Sequence, residues 1–253
     1  MVMAWYTAVF LGLVQGLAEF LPISSSGHLL LFETWFGITD GGLLLTLLLH
    51  LATLLAVMVV YRRRIWQLIR HPLSRESVRL VVATVITCGI VLVCHDVIDR
   101  LFTVAALPYT FFLCGIYLLL PTIFRPKPNA RGWLQAVTMG VAQGVAVVPG
   151  LSRSGMTITT GRLSGMAPDA ATDFSFLMSL PIILASLVYE LLRGGSLQSI
   201  GVGNMLLAFG TAFVAGIFAI KFMLNLTRKI DLRWFAVYLL VLGAGLWLGG
   251  MFA

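Results

Sequence analysis

Charged side chains are scarce in this sequence. They make up 11% of its 253 residues, whereas 59% of the residues are hydrophobic and the mean hydropathy is +0.99. Soluble domains carry about 25% charged residues, so this composition excludes an ordinary soluble domain and indicates an integral membrane protein. The net charge of +7 arises from loops between apolar runs, and we expect no nucleic-acid partner.

Cysteine is equally scarce, and its three positions, Cys88, Cys94 and Cys114, all lie in apolar runs. Their spacing matches no metal-binding motif and predicts no disulfide framework. Residues 1–13 lack the basic start and the small-residue cleavage site of a secretory signal peptide. We therefore expect them to belong to the mature chain.

Apolar runs of membrane-spanning length occur six times in the sequence. They are 43–61, 80–98, 105–124, 174–192, 205–220 and 235–252. Two further apolar regions, 4–36 and 133–165, are interrupted by proline, glycine and serine. Non-helical backbone is tolerated at membrane depth only inside protein or along a wet cavity. The sequence therefore predicts an all-α membrane protein with about six transmembrane helices and two re-entrant helix pairs.

Basic residues predict the orientation of these runs. Thirteen of the seventeen fall in three loops that share one side if all six runs span. These are Arg62, Arg63, Arg64, Arg70, Arg75, Arg79, Arg125, Lys127, Arg131, Lys221, Arg228, Lys229 and Arg233. Cytoplasmic loops carry such an excess, so we place this side in the cytoplasm and both termini outside.

An internal repeat aligns the two interrupted regions at an offset of 128 residues. Seven of sixteen aligned positions are identical, where about one or two are expected from composition. Each half then holds one interrupted region and three spans, so the halves have opposite topology. We expect a single membrane domain with inverted repeats at approximately 1–124 and 129–253. Such repeats place a binding site at their interface near the bilayer midplane.

The second interrupted region contains Arg153 among serines, glycines and a threonine. A charge at bilayer depth costs about 2.5–3.5 kcal/mol, and the guanidinium is suited to binding phosphate. We interpret the stretch 149–157 as an anion site. A helix-packing turn around a structural arginine is the alternative.

The aligned stretch of the first half supplies complementary chemistry. Gln15 and Glu19 share one helix face, and a buried Glu19 is a candidate general base, a ligand of a divalent cation, or a plain ion-pair partner of Arg153. Ser25 is a candidate nucleophile with Glu19 or His28 as its base. His28 is alternatively the nucleophile itself, or the acid for the leaving group.

Two motifs resemble the undecaprenyl-diphosphatase family of bacterial inner membranes, the bacitracin-resistance type. The first motif is Gln15-Gly-Leu-Ala-Glu19-Phe-Leu-Pro22-Ile-Ser24-Ser25-Ser26-Gly27-His28, and the second is Pro149-Gly-Leu-Ser152-Arg153-Ser154-Gly155-Met-Thr157. The resemblance covers nearly the whole chain. It implies hydrolysis of a C55 isoprenoid diphosphate to the monophosphate, which recycles the lipid carrier of peptidoglycan synthesis and confers bacitracin resistance.

The resemblance also implies roles for individual residues. Glu19, Ser25, His28 and Arg153 match catalytic positions of the family, whose site opens to the periplasm. The remaining motif residues are expected to contact substrate; they are Gln15, Ser24, Ser26, Ser152, Ser154, Gly155 and Thr157. The family's activity is associated with a divalent cation, so Mg²⁺ or Ca²⁺ at Glu19 is an expected cofactor. The expected partners are the polyprenyl diphosphate and membrane lipid, and the sequence does not predict an oligomeric state.

Two positions depart from the family pattern. Gln15 weakens a two-carboxylate metal site, and Thr46 stands where members often carry an acid four residues before the position of His50. A carrier or flippase for a phosphorylated polyprenyl lipid is the alternative function, because inverted repeats are typical of transporters.

The repeat makes a geometric prediction of its own. Ser25 aligns with Arg153 at the offset, and in-line transfer needs both on one phosphoryl group. We expect their side chains about 4–8 Å apart, the spacing of one phosphate with a near-attack nucleophile. We also expect Glu19 and His28 to line the same cavity.

Overall fold

The computed structural model describes residues 3–38, 42–124, 132–193, 201–227 and 232–249. Helices and turns make up these residues, with no strand among them. The helices are α1 Trp5–Ala18, α2 Ser25–Trp35, α3 Gly42–Val60, α4 Arg62–Arg70, α5 Arg75–Val93, α6 His95–Leu101, α7 Leu107–Phe124, α8 Gly132–Val145, α9 Arg153–Leu163, α10 Pro168–Arg193, α11 Val202–Thr227 and α12 Arg233–Leu248. The all-α prediction is confirmed.

Four of the described helices, α5, α7, α10 and α11, are long and apolar enough to cross a membrane. A fifth span is formed if α3 and α4 are counted together, although the chain bends by 79° between them. The sixth predicted run, 235–252, ends outside the described residues, and its described part forms α12. The protein is therefore an all-α integral membrane protein.

One predicted span has different limits in the structure. The run 80–98 is divided between α5 and α6, and the backbone leaves helical geometry at Cys94. The Ser74 hydroxyl caps α5 by accepting a hydrogen bond from the Ser77 N–H, so the helix starts before the apolar run does. Asp96 and Arg100 belong to the short α6 rather than to a span.

Both interrupted regions fold as helix pairs. The first pair is α1 and α2, of 14 and 11 residues, and the second is α8 and α9, also of 14 and 11 residues. None of the four is long enough to span a bilayer, since spanning takes about 20 residues. The bounds of α9 are those of α2 moved by 128 residues, and the bounds of α8 are those of α1 moved by 127 residues, so the repeat extends to the limits of the helices within one residue.

The two halves interlock. The first helix of each pair packs on a long helix of the other side of the repeat: α1 lies against α11, and α8 lies against α5. Glycines of α1 and α8 allow this approach, because a Cβ on Gly16 would lie 2.5 Å from the Ala212 carbonyl oxygen and one on Gly140 would lie 2.7 Å from that of Ala83. Small residues serve this purpose between membrane helices.

The two breaks meet at the centre of this arrangement. A Cβ on Gly27 would lie 2.9 Å from the Cα of Gly150, and one on Gly155 would lie 3.1 Å from the Cβ of Pro22. Backbone of the first break therefore touches backbone of the second. The proposed repeat limits near 124 and 129 adjoin residues 125–131, which lie outside the described part together with Arg125, Lys127, Arg131, Arg228 and Lys229. The orientation argument for those five residues stays a prediction.

Candidate active site

Glu19 stands at the centre of the contact between the two breaks. It is the C-terminal capping residue of α1, and only 4% of its side chain is exposed. The Ser25 hydroxyl donates to its Oε2 at 2.5 Å, and Arg153 Nη1 lies 3.2 Å from its Oε1. Gln15 Nε2 donates to Oε2 at 3.2 Å. A buried carboxylate is thus held by a hydroxyl, an amide and a cation.

Ser25 and Arg153 occupy equivalent places in the two halves. Each is the first residue of its helix, α2 or α9, and each follows a serine that caps the helix. The two side chains contact different oxygens of Glu19, so the carboxylate group of Glu19 lies between them. This arrangement agrees with the approach expected from the repeat.

Arg153 retains an unused donor. Its Nη1 is buried and makes no hydrogen bond of good geometry within the described part of the chain, although it lies beside Glu19. Buried donors of this kind need a partner. The guanidinium therefore has an N–H free for an oxygen of a bound ligand, next to the Ser25 hydroxyl.

A small cavity adjoins this cluster. It is lined by Glu19, Phe20, Arg153, Ser154, Ser175, Phe176 and Ser179. The last three belong to α10 and were not predicted from the sequence. Ser175 and Ser179 are four residues apart on an apolar helix and therefore share one of its faces. This spacing is the sequence signal that could have identified them as residues of the site.

His28 differs from the expectation, because it is absent from the described lining of that cavity. Its ring is directed to α12, where Nε2 lies 2.6 Å from the Tyr238 hydroxyl, and its Nδ1 lies 2.7 Å from the Ser24 carbonyl oxygen. His28 lies one turn along α2 from Ser25, and its two ring nitrogens contact Tyr238 and the Ser24 carbonyl. Tyr238 carried no signal in the sequence.

The hydroxyls predicted to contact substrate mostly bind protein in this structure. Ser24 Oγ accepts from the N–H groups of Gly27 at 3.3 Å and Gly150 at 3.1 Å. Ser26 Oγ lies 3.5 Å from Ser24 Oγ. These bonds fix the first break and tie it to the second.

The second break is fixed by corresponding bonds. Ser152 Oγ accepts from the Gly155 N–H at 3.1 Å, and Ser154 Oγ donates to the Leu21 carbonyl at 3.0 Å. Thr157 Oγ1 donates to the Arg153 carbonyl at 2.7 Å and lies 2.6 Å from Ser175 Oγ. The bond of Ser154 to Leu21 holds α9 against the first break, and the contact between Thr157 and Ser175 holds α9 against α10.

His50 of α3 is a further group near the acid. It lies close enough to Glu19 to interact with it electrostatically, and its Nδ1 lies 2.8 Å from the Thr46 carbonyl oxygen. The structure places it within electrostatic range of the site.

A metal held by protein ligands does not fit these residues. No group of three His, Cys, Asp or Glu side chains lies together in the part of the chain that the structure describes. Position 15 is a glutamine, and both oxygens of Glu19 are already engaged. Mg²⁺ commonly binds through one or two carboxylates plus substrate phosphates, and Glu19 is the one carboxylate among the described residues that line the cavity.

Comparison with known proteins agrees with the site's two motifs. The family model described as bacitracin resistance protein BacA matches residues 8–245. A protein named undecaprenyl-diphosphatase from Carboxydothermus hydrogenoformans is 38% identical over 248 residues, covering 94% of each chain. One of the same name from Treponema denticola is 37% identical over 262 residues, covering 96% of this chain and 97% of its own. The chain belongs to the family of bacitracin resistance protein BacA.

Proposed function

We propose that this protein hydrolyses undecaprenyl diphosphate to undecaprenyl monophosphate and inorganic phosphate. The reaction recycles the lipid carrier for cell-wall synthesis and confers bacitracin resistance. The relatives named undecaprenyl-diphosphatase support the substrate, since they cover the chain almost completely. The site supports the reaction class, because it combines a hydroxyl, a carboxylate and a cation within one buried cluster.

One observation carries the proposal: the Ser25 hydroxyl donates to Glu19 at 2.5 Å, with Arg153 on the other carboxylate oxygen. A serine becomes a nucleophile when an adjacent base accepts its proton. The pairing makes Glu19, rather than His28, the base for Ser25. Both nitrogens of His28 are in contact with other groups.

The reaction follows from this pairing in two steps. Ser25 Oγ attacks the terminal phosphorus as its proton passes to Glu19, and the bond from that phosphorus to the bridging oxygen breaks. The leaving group is the polyprenyl monophosphate. The proton on Glu19 passes to the departing polyprenyl monophosphate, which restores the carboxylate. Water then attacks the phosphoserine and gives its proton to Glu19, the Oγ–P bond breaks as Glu19 returns that proton to Ser25 Oγ, and phosphate leaves. The sum consumes one water and restores the serine.

Arg153 stabilises the phosphoryl group during both steps. Phosphoryl transfer depends mainly on positioning and on neutralising charge on the equatorial oxygens. The unused N–H of Nη1 is available to one of those oxygens. Binding of phosphate also replaces part of the contact between Arg153 and Glu19, which frees the carboxylate to accept the proton.

The membrane setting follows the same proposal. The substrate's isoprenoid tail stays in hydrocarbon while its diphosphate enters the polar cluster between the breaks. The positive-inside rule predicts that the arginines of α4, which follows α3, lie on the cytoplasmic side, and we propose that the site opens to the opposite, periplasmic side. A divalent cation would be carried mainly by the substrate's phosphates, and no step above depends on it.

The test compares two serines in purified protein, one in the site and one on an exposed helix face. Ser25→Ala is expected to lower the rate of phosphate release from undecaprenyl diphosphate in detergent by about 10³-fold or more, because the nucleophile is lost. Ser186→Ala, at an exposed serine of α10, is the control and should retain the wild-type rate. Rapid quenching of the reaction with terminally labelled substrate should trap labelled wild-type protein but no labelled Ser25→Ala protein.

Two results would contradict the proposal. Wild-type-like phosphate release by Ser25→Ala would remove the assigned nucleophile. Binding of the diphosphate by wild-type protein without any phosphate release would instead favour the carrier alternative.

A further inference from the structure

The ring of His28 connects two distant helices. Its Nδ1 lies 2.7 Å from the Ser24 carbonyl oxygen, and its Nε2 lies 2.6 Å from the hydroxyl of Tyr238 on α12. The two rings are stacked, with centroids 5.7 Å apart and planes inclined by 12°. A carbonyl oxygen can only accept, so Nδ1 bears the proton. Nε2 of the neutral ring then accepts from the Tyr238 hydroxyl.

Ser24 is the residue that this connection holds. It is the one described non-glycine residue with positive φ, at 70°, a region in which side chains other than glycine are uncommon. Its carbonyl accepts from the His28 N–H at 3.2 Å as well as from Nδ1. Its hydroxyl accepts from the backbone of Gly27 and Gly150. Such a conformation persists only where its surroundings impose it.

The strained residue directly precedes the nucleophile. Ser25 begins α2, so the φ and ψ of Ser24 set the direction in which the Ser25 side chain leaves the helix start. The 2.5 Å contact between Ser25 and Glu19 depends on that direction. A relaxed Ser24 would move the hydroxyl away from its base, and small displacements of this kind reduce the rate strongly.

We propose that Tyr238 and His28 are positioning residues: Tyr238 orients the His28 ring, and His28 holds Ser24 in the conformation that presents Ser25 to Glu19. The inference rests on the proposed function and deepens it. His28 acts through Ser24, and it neither attacks phosphorus nor transfers a proton to substrate. The second half thereby contributes Tyr238 as well as Arg153 to the site.

Variants of His28 separate this role from acid–base chemistry. His28→Asn keeps a donor where Nδ1–H stood and loses the Nε2 acceptor, whereas His28→Ala loses both. We expect His28→Asn to lose about 2–10-fold in kcat, the effect of one hydrogen bond, and His28→Ala to lose clearly more. Equal and near-complete loss in both variants would overturn the proposal.

Tyr238→Phe removes only the hydroxyl at the far end of the connection. We expect kcat to fall about 2–10-fold with KM little changed, because Tyr238 is not among the described residues that line the cavity. Tyr109→Phe, at a tyrosine of α7 with 61% exposure, is the matched control and should be neutral. In the His28→Asn background Tyr238→Phe should have no further effect, since its acceptor is gone. Additive effects would contradict the connection.

The pH dependence gives a further distinction. If His28 only positions Ser24, both limbs of the kcat/KM profile should keep their midpoints in His28→Asn while the whole curve falls. A proton-transferring His28 would lose one limb on substitution. Loss of that limb would overturn the positioning role.

A spectroscopic test does not depend on activity. The chain has four histidines, so nitrogen-15 histidine labelling and comparison with His28→Asn assign the His28 signals. We expect the neutral form protonated at Nδ1, and a shift of the Nε2 signal in Tyr238→Phe. A ring protonated at Nε2 instead, or one unaffected by Tyr238→Phe, would overturn the inference. If wild-type protein released no phosphate while these signals were as expected, the proposed function alone would fail.

Discussion

The two helix breaks share a scaffold and differ in the side chains that they present. In both, a serine caps the second helix and accepts from the N–H of a glycine three residues on, Gly27 in one and Gly155 in the other. The capping geometry thus explains two of the identical pairs in the repeat, the capping serines and the glycines three residues after them. At the next position the halves diverge, since Ser25 contacts Glu19 as a donor and Arg153 contacts it as a cation.

The glutamines show the same divergence. Gln15 and Gln143 are equivalent and both fully buried. The amide of Gln15 donates to Glu19, whereas that of Gln143 donates to Thr87 Oγ1 at 3.2 Å. The second half has Val147 at the position of Glu19. The two halves therefore share a backbone frame, which carries an acid in one half and a cation in the other, and the contact between the two breaks brings these groups together.

The breaks also differ in strain. The first turns at Ser24, with φ of 70°, while its counterpart Ser152 has φ of −72°. The second has its positive φ at Gly150, of 89°, where glycine pays no steric penalty. Strain in non-glycine residues clusters at functional sites, and here it adjoins the proposed nucleophile.

The largest expected effect comes from making the two halves alike at the divergent position. Arg153→Ser gives both breaks a serine there, and we expect phosphate release to fall by about 10³-fold or more, because the phosphoryl group loses its cation. Arg153→Lys keeps the charge but loses the planar fork and should retain more of the rate than Arg153→Ser. Phosphate release by purified protein is the measurement.

Stability must be measured alongside, since Arg153→Ser leaves Glu19 buried without its cation, which costs about 3–5 kcal/mol. A folded Arg153→Ser protein with undiminished phosphate release would show that the second break only supports the first. Arg63→Ser, on the exposed surface of α4, is the control for removal of an arginine.

A smaller effect, on stability, is expected at Gly150, where the two breaks are in contact. Gly150→Ala adds a Cβ at positive φ and against the Thr110 side chain, and we expect the free energy of unfolding to fall by about 2–4 kcal/mol. Gly37→Ala also has positive φ, of 65°, but its Cβ meets nothing within 4 Å, so it should cost about 1–2 kcal/mol. Chemical unfolding in detergent measures both. Equal losses of unfolding free energy in the two variants would mean that the structure around Gly150 accommodates the added Cβ.

The fold followed from the sequence because its signals are local. Apolar length predicts spans, and proline, glycine and serine mark the breaks. The offset of the repeat then predicted that Ser25 and Arg153 converge. The bend between α3 and α4 was not predicted, since the apolar run of α3 passes directly into Arg62–Arg70 with no proline or glycine to mark it.

Parts of the site depend on contacts between distant helices and were missed. Tyr238 lies 210 residues from His28, and a tyrosine in an apolar helix does not reveal its partner. The orientation of His28 is decided by that contact and by the Ser24 carbonyl. Without them a histidine beside serines predicts chemistry on the substrate, and the structure instead shows its ring turned to α12.

The smallest effect concerns the glutamine beside the acid. Gln15→Glu puts a second carboxylate one helical turn from Glu19 and replaces the amide donor at Oε2 by a like charge. We expect phosphate release in the presence of a chelator to fall about 2–10-fold, the effect of one lost hydrogen bond to an ionised group. Two adjacent carboxylates together with substrate phosphates suit Mg²⁺, so added Mg²⁺ should restore the rate of Gln15→Glu, whereas the rate of the wild type should change less.

The equivalent change in the other half is the control for this prediction. Gln143→Glu also buries a new carboxylate, but its neighbours are Thr87 and the Met178 carbonyl rather than an acid. We expect it to lower stability without making phosphate release more responsive to Mg²⁺. If both substitutions made phosphate release more responsive to Mg²⁺ alike, the cation would act on the whole protein and not at Glu19. A difference confined to Gln15→Glu would place the cation in the half that carries the acid.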